Sequence, residues 1–185
     1  MEVERPVLIV FAGPNGAGKT TFAEKFCKSF GLEFLNPDKL DRIRELNKGK
    51  QFLRILKEKI EKGDSFCFEA TMSGKWLLSF LEKARDNNYE RGCFYIFVHP
   101  VEILKYRIEE RVKKGGHFVD FETVKRRYKK SLKNFWFIYR DLFDWWEIKS
   151  NVSNYAKVAM KIENEIIVED EVWFNMFLKE VGGEN

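Results

Sequence analysis

Eight residues near the start of the chain have the types and spacing needed to bind phosphate groups. Residues 13–20 read Gly-Pro-Asn-Gly-Ala-Gly-Lys-Thr, which fits the P-loop pattern G-x-x-x-x-G-K-[ST]. Glycines in such a loop let successive backbone N–H groups turn inward around an anion. We expect Lys19 to contact the β- and γ-phosphates of a nucleotide and the Thr20 hydroxyl to bind Mg²⁺. The predicted nucleotide-binding residues are Gly13, Pro14, Asn15, Gly16, Ala17, Gly18, Lys19, Thr20 and Thr21.

The residues on either side of this loop have the patterns of a strand and a helix. Residues 7–12 form a short apolar run rich in β-branched side chains, which is typical of a buried parallel strand. Phe22, Ala23, Phe26 and Phe30 recur at helical spacing after the loop. A strand, a glycine-rich loop and a helix are the context in which the motif binds phosphate. The motif therefore predicts a nucleoside triphosphate site.

Polar residues also follow the next two predicted strands, where ligands gather in open α/β sheets. Asp38 follows the second strand, and Glu69 and Thr71 follow the third. A carboxylate at Asp38 suits a proton acceptor for a hydroxyl substrate, and an aspartate after Asn36-Pro37 equally suits a turn or helix cap. Glu69 either binds a substrate or lies on the surface at the start of a loop. Thr71 either binds a substrate or caps the next helix.

Basic residues surround a Gly115-Gly116 pair that separates two predicted helices. Most charge runs are solvated helix faces. With about 100° of rotation per residue, Arg107 and Arg111 lie on the rim of one apolar stripe and Arg127 on the rim of the next. Arg126 points away from its stripe. Two hinged helices that each present an arginine suit a lid that closes over phosphate, because guanidinium groups match its oxygens. His117 is interpreted as a polar loop residue.

The bulk composition restricts the class of protein. The chain has 185 residues, 44% hydrophobic and 34% charged, with a net charge of +4, which predicts one soluble globular domain over residues 1–185. Nucleic acid is the least favoured partner, since the charge is modest and the lysines point in several directions. Cys27, Cys67 and Cys93 lie in apolar runs and suggest buried thiols. A short acidic N-terminus and the lack of a long apolar stretch predict a cytoplasmic protein that binds no membrane.

The remaining pattern alternates predicted strands and helices, which indicates a three-layer α/β/α P-loop NTPase fold of the kinase type with a parallel central sheet and a helical lid at about 111–127. The further strands are expected at 33–36, 65–68, 93–98 and 145–149, with a weaker hairpin at 157–168. The further helices are expected in two stretches within 39–62 broken near Asn47-Lys48-Gly49, after Ser73-Gly74, from about Val101, from near Asp120, and across 170–181.

Several of these motifs together resemble the zeta toxin-like family of P-loop kinases. They are the P-loop, Leu-Asn-Pro-Asp at 35–38, Glu-Ala-Thr-Met-Ser-Gly at 69–74, Arg-Val-Lys-Lys-Gly-Gly-His-Phe-Val at 111–119 and Arg-Arg-Tyr-Lys-Lys-Ser-Leu-Lys-Asn at 126–134. The resemblance implies transfer of the γ-phosphate of ATP, with Mg²⁺, to the 3′-hydroxyl of the amino-sugar in UDP-N-acetylglucosamine. It also implies an antitoxin protein as a partner.

The resemblance assigns roles to residues that match the family's motifs. Asp38 matches the general base, Glu69 and Thr71 match the acceptor-binding segment, and Arg111 and Arg127 match the lid arginines that embrace the γ-phosphate. Arg107 is the alternative to Arg111. The sequence departs from the family where Glu-Ala-Thr replaces Glu-Thr-Thr, which removes a hydroxyl from the acceptor pocket. Another metabolite or an antibiotic therefore stays open as the acceptor, and so does a non-catalytic nucleotide-dependent switch.

Overall fold

The computed structural model describes residues 5–37, 48–116, 118–152 and 154–182. Their helices and strands form three layers, with a sheet of seven strands between helices. The strands are β1 Val7–Ala12, β2 Glu33–Leu35, β3 Phe66–Ala70, β4 Glu90–Phe97, β5 Trp145–Ser150, β6 Ala156–Ile162 and β7 Glu165–Val168. The helices are α1 Lys19–Phe30, α2 Lys48–Lys62, α3 Leu77–Asp86, α4 Glu102–Lys113, α5 Phe121–Asn134 and α6 Glu171–Val181. The predicted three-layer P-loop fold is confirmed.

The sheet has the order β2-β3-β1-β4-β5-β6-β7. The first five strands in this order are parallel, as predicted, and β1 lies in their centre between β3 and β4. The predicted hairpin is also present, and it adds β6 and β7 as antiparallel strands at one edge. The P-loop strand therefore has neighbours on both sides, and the loops after β3 and β4 lie next to the P-loop.

Aromatic side chains fill the space between the sheet and its helices. On one face, Phe11 packs against Phe22 and Phe26 of α1, with ring centroids 5.7 Å away in both cases. Neighbouring residues of a strand point to opposite faces, so Val10 and its cross-strand partner Phe68 lie on the other face. There Phe68 packs against Phe80 of α3 at 5.6 Å. The two faces are thus covered by different helices, as a parallel sheet requires.

The strand β4 begins at Glu90, three residues before the apolar run that predicted it. Its early residues include Arg91, which is buried although it is charged. Asp144 compensates this charge, because its two carboxylate oxygens accept hydrogen bonds from Arg91 Nη2 at 2.9 Å and Nε at 3.1 Å. Asp144 also accepts a 2.7 Å bond from the backbone N–H of Arg91. A distant partner therefore makes a polar strand start stable.

The helices differ from the prediction in two places. The break predicted near Asn47-Lys48-Gly49 does not include Lys48 or Gly49, because both belong to α2. A segment of π-helix, Phe135–Tyr139, and a short 3-10 turn, Arg140–Leu142, follow α5 and were not predicted. The helical stretch expected over 39–47 lies outside the described residues.

The predicted burial of the three cysteines is confirmed, since Cys27, Cys67 and Cys93 are all buried free thiols. Trp146 is fully buried, and Trp136 and Trp173 pack against the core. None of the helices in the described part of the chain is both long and apolar enough to cross a bilayer.

Candidate active site

The P-loop connects β1 to α1 at the carboxyl edge of the sheet. Gly18 adopts a left-handed backbone with φ of 92°, which side chains rarely tolerate. A Cβ atom at this position would lie 2.5 Å from Asn151 Nδ2 and 2.8 Å from the Tyr155 hydroxyl. Glycine is therefore needed at this position both for its backbone angle and for the close approach of two other side chains.

Lys19 begins α1 and turns its side chain back over the loop. The residue is only 8% exposed, and its Nζ donates a 2.9 Å hydrogen bond to the Pro14 carbonyl. This contact holds the ammonium group inside the curve of the loop. A cation in that position, next to the N-terminus of a helix, creates a site for anions.

The end of β3 contributes a carboxylate directly beside the P-loop. The Thr20 hydroxyl donates a 2.7 Å hydrogen bond to Glu69 Oε2. Glu69 is the register partner of Phe11, which lies just before the loop. The sequence predicted Glu69 as a substrate ligand or a surface residue at the start of a loop, and the structure shows that its carboxylate contacts the predicted metal-binding hydroxyl. The two residues form one cluster of oxygen atoms.

The loop after β3 is held by side chains from far along the chain. Thr71 Oγ1 and Ser73 Oγ lie 3.0 Å apart within this loop. Asn134 Nδ2 donates to the carbonyl of Met72 at 2.7 Å, and the Tyr139 hydroxyl donates to the carbonyl of Gly74 at 2.6 Å. The unpredicted π-helical segment thus has a position-fixing role, because it places Tyr139 against the loop that carries Thr71.

The arginines predicted to line the lid divide by orientation as expected. Arg127 is half-buried and its Nη1 lies 3.4 Å from Asn15 Oδ1 of the P-loop, whereas Arg126 is exposed. Arg107 and Arg111 both line the cleft next to the P-loop. Arg107 Nη2 donates a 2.8 Å bond to the Asn151 carbonyl. This contact joins α4 to the connection that follows β5.

Two predicted residues cannot be placed. Asp38, the predicted proton acceptor, and His117 lie outside the described residues. Pro37, the residue before Asp38, lines the same cleft as Lys19 and Thr20.

One cleft of about 830 Å³ contains most of these groups. Its polar lining comes from the P-loop, Glu69, Thr71 and the arginines of α4. Its apolar lining includes Phe52 and Leu53 of α2 together with Trp76. The volume is in the range of small-molecule sites, in which a few polar groups orient a ligand against apolar walls.

The P-loop is also supported from the β5–β6 connection. Asn151 is buried, and its Nδ2 donates a 2.7 Å bond to the Ala17 carbonyl. The Tyr155 hydroxyl donates a 3.0 Å bond to the Gly18 carbonyl, while its ring stacks on Phe22 at 4.9 Å. Burial raises the pKa of Tyr155, so the hydroxyl stays protonated and able to donate. We call Asn151 and Tyr155 the P-loop brace.

The sequence did not predict a role for either residue of the P-loop brace. The two hydrogen bonds join residues 134 and 137 positions apart, and no local spacing marks such a contact. One signal was present in Gly18 itself, because a glycine at the end of the loop leaves room for neighbouring side chains. That signal does not identify which side chains lie next to Gly18.

Comparison with known families fits this arrangement. Residues 8–135 match the AAA domain family, a span that includes the P-loop, Glu69, the lid arginines and the whole of α5. The chain belongs to this family. The match ends before the P-loop brace, so the brace lies in the part of the chain outside the family's shared segment.

Among known proteins, an uncharacterised protein of Haemophilus influenzae is 29% identical over 133 residues, which cover 65% of this chain and 91% of the relative. An adenylate kinase of Thermococcus sibiricus is 35% identical over 79 residues. That alignment covers 43% of this chain and 34% of the adenylate kinase. The chain thus spans about a third of this relative.

Two solved structures share the fold across nearly the whole chain. One belongs to the PezAT chromosomal toxin-antitoxin system of Streptococcus pneumoniae, with a TM-score of 0.66, 15% identity, and coverage of 100% of this chain and 82% of that one. The other is AvrRxo1-ORF1:ORF2 with ATP, with a TM-score of 0.75, 16% identity, and coverage of 94% and 63%. At these identities, the likeness establishes the fold.

Proposed function

We propose that the protein is a phosphotransferase that moves the γ-phosphoryl group of ATP to a hydroxyl group of a small polar acceptor. The observation that carries this proposal is the single cleft in which the P-loop faces Glu69, Thr71 and an apolar wall. The cleft would hold a donor at the P-loop and a second molecule against the apolar side chains. The similar fold of a protein crystallised with ATP and a relative that is an adenylate kinase support the same class of reaction.

The donor end supplies positive charge where negative charge accumulates during transfer. The backbone N–H groups of the P-loop and Lys19 bind the phosphates, and Arg111 and Arg127 approach the transferring group. Groups that a fold holds in place before the reaction stabilise the transition state without reorganising. Arg127 is close to the loop through its contact with Asn15.

The cluster of oxygen atoms at Thr20 and Glu69 fits a magnesium ion by its chemistry. Mg²⁺ prefers oxygen ligands and keeps several waters, so it is bound by few protein groups in kinase sites. Thr20 would bind the ion directly, and Glu69, 2.7 Å from that hydroxyl, would orient it. When bound, Mg²⁺ neutralises charge on the phosphate oxygens.

The transfer itself requires a proton acceptor, and we assign this role to Asp38. The acceptor oxygen forms a bond to the γ-phosphorus while the bond from that phosphorus to the β–γ bridging oxygen breaks, releasing ADP. The hydroxyl proton moves to the Asp38 carboxylate. The support is the match of Leu-Asn-Pro-Asp at 35–38 to the zeta toxin-like motif, and Pro37 of this motif lines the cleft.

The acceptor class that we favour is a nucleotide-sugar such as UDP-N-acetylglucosamine. The support is the resemblance of the site motifs to zeta toxin-like kinases and the fold shared with a toxin-antitoxin protein. Phe52, Leu53 and Trp76 offer an apolar surface for a flat ring, while Glu69 and Thr71 offer hydrogen bonds to sugar hydroxyls. The same neighbour supports an antitoxin as a partner protein.

The test is transfer of labelled γ-phosphate from ATP to a panel of acceptors. The panel contains nucleotide-sugars, nucleosides, nucleoside monophosphates, simple sugars and aminoglycosides, with Mg²⁺ present and Lys19→Ala as the blank. We expect label on a nucleotide-sugar and little transfer by Asp38→Asn. Label on another acceptor would overturn the acceptor class alone. Nucleotide binding with no transfer to any acceptor would favour a non-catalytic switch, and full activity of Asp38→Asn would overturn the base assignment.

A further inference from the structure

Among the residues that the structure describes, no strand pairs with the outer side of β7, the last strand of the sheet. It pairs with β6 and forms the end of the sheet. All four of its residues, Glu165–Val168, are exposed. An edge strand presents unpaired N–H and C=O groups and is a ready template for another strand.

The register shows which backbone groups face outward. The N–H of Glu169 donates to the Val158 carbonyl at 2.9 Å, which places Glu169 in a hydrogen-bonded pair. Pairs along an antiparallel ladder alternate between bonded and non-bonded, so Ile167 and Glu165 also bond to β6. Ile166 and Val168 therefore direct their N–H and C=O groups away from the sheet.

Three of the four side chains of β7 are exposed and apolar, and Ile162 at the end of β6 adds a fourth apolar side chain beside them. Ile162, Ile166, Ile167 and Val168 are 50%, 46%, 41% and 37% exposed. Natural edges are usually guarded by lysine, proline or a bulge. β7 contains neither lysine nor proline, and its register with β6 is continuous over all four residues. This edge is thus suited to pairing.

Acidic residues surround the apolar strand on both sides. Glu163 precedes it in the turn, Glu165 begins it, and Glu169, Asp170 and Glu171 follow it. Asp170 caps α6 by accepting a bond from the Trp173 N–H. Among the acids, Glu169 has a basic contact, with Lys157 Nζ at 4.0 Å. The edge therefore combines an apolar centre with negative ends.

This charge selects between two kinds of occupant. In a twofold pairing of two copies through β7, the acidic ends of both strands would lie at the same joint, and like charges there repel. A different chain with basic residues would be attracted instead. We propose that β7 binds an extended segment of another protein as an eighth strand, with alternating apolar residues and flanking lysine or arginine. This proposal does not depend on the phosphotransferase reaction.

The test uses a fluorescent nine-residue peptide, Lys-Val-Thr-Val-Lys-Val-Thr-Val-Lys, blocked at both ends, and a matched peptide with Glu in place of Lys. Fluorescence anisotropy with the full chain measures the affinity. We expect saturable binding of the basic peptide, at least about tenfold tighter than that of the acidic one. Binding should weaken as salt rises, because exposed charges are screened.

Two variants separate backbone pairing from simple charge attraction. Ile166→Pro removes an outward N–H without breaking a bond to β6, a position where edge strands tolerate proline. Ile166→Thr is its control, because it keeps that N–H. We expect the affinity for the basic peptide to fall about tenfold in the proline variant and to stay unchanged in the threonine variant. The unfolding temperatures of the two variants are compared to show that both are folded. Glu165→Lys leaves the backbone hydrogen bonds of the strand intact and should also weaken binding of the basic peptide.

Several outcomes would overturn the proposal. They are the absence of saturable binding, equal affinity for the basic and acidic peptides, and unchanged binding by a folded Ile166→Pro variant. Sedimentation of the chain without peptide measures its oligomeric state and tests whether a second copy of the chain occupies the edge instead. A dimer that dissociates in Ile166→Pro and not in Ile166→Thr would show that a second copy occupies the edge.

Discussion

The Thr20 hydroxyl donates a 2.7 Å hydrogen bond to Glu69 Oε2, which joins the first turn of α1 to the end of the neighbouring strand β3. The bond links the residue predicted to bind Mg²⁺ with one predicted to bind the acceptor. A change at Glu69 should therefore affect both the binding of Mg²⁺ and the binding of the acceptor.

For Glu69→Gln, we expect turnover to fall by about 10- to 100-fold and the Mg²⁺ concentration for half-maximal activity to rise, because the amide removes a charge beside the metal. Initial rates over a Mg²⁺ titration at saturating ATP measure this. Glu82→Gln, an exposed carboxylate on α3, is the control. An unchanged Mg²⁺ requirement would show that Glu69 acts on the acceptor alone.

The neighbouring pair Arg126 and Arg127 offers a matched comparison of orientation. Arg127→Gln should lower kcat by about 100-fold or more, because it removes a cation next to the P-loop and the transferring group. Arg126→Gln should have little effect, since that side chain is exposed. Steady-state kinetics of both variants decide the question. Equal losses of kcat would show that both arginines act only by attracting the negatively charged nucleotide.

Tyr155→Phe tests the P-loop brace. The variant keeps the ring on Phe22 and removes the bond to the Gly18 carbonyl. One such hydrogen bond contributes about 1 kcal/mol, so ATP should bind about fivefold more weakly. Calorimetric titration with ATP measures this, and binding of the wild-type strength would show that the stacked ring alone suffices.

Asp144 gives a prediction about stability and pH. Burial opposes ionisation of its carboxyl, but hydrogen bonds from Arg91 outweigh it and hold the pKa below the usual 3.8. A lowered folded pKa means that the ion pair stabilises the fold above pH 3.8 and is lost as pH falls through the folded value.

Asp144→Asn should destabilise the protein by about 2 kcal/mol at neutral pH, because Arg91 stays buried without its counter-charge. Its unfolding free energy should also fall less steeply than that of the wild type as pH decreases below about 4. Urea unfolding at a series of pH values measures both. Parallel curves for the two proteins would contradict the role of this ion pair.

The local parts of the fold were predictable from the sequence. Residues 7–31 contain a strand, a motif and a helix whose signals are adjacent, and Gly31 ends α1 in a left-handed conformation as its type indicates. The hairpin at Glu163-Asn164 was predictable for the same reason. Each of these features is decided within a few residues.

Features that depend on distant partners were not predictable. Burial of Arg91 near the start of β4 depends on Asp144, and the loop at Met72 depends on Asn134. Neither contact has a spacing rule, because the fold brings the partners together only after the sheet forms. Sequence reasoning therefore predicted the P-loop residues from a local motif and missed the distant side chains that contact the loop.

The bonds from Asn151 and Tyr155 to the P-loop carbonyls mean that the loop is encoded early and completed late. During synthesis, residues 13–20 emerge long before the side chains that fix their conformation. A nascent chain that ends between Thr20 and Asn151 has the full motif but lacks both side chains of the P-loop brace. Stabilisation by nucleotide should therefore reach its full strength only when β5 and β6 join the sheet, so that its strength reports on a finished domain rather than on the motif alone.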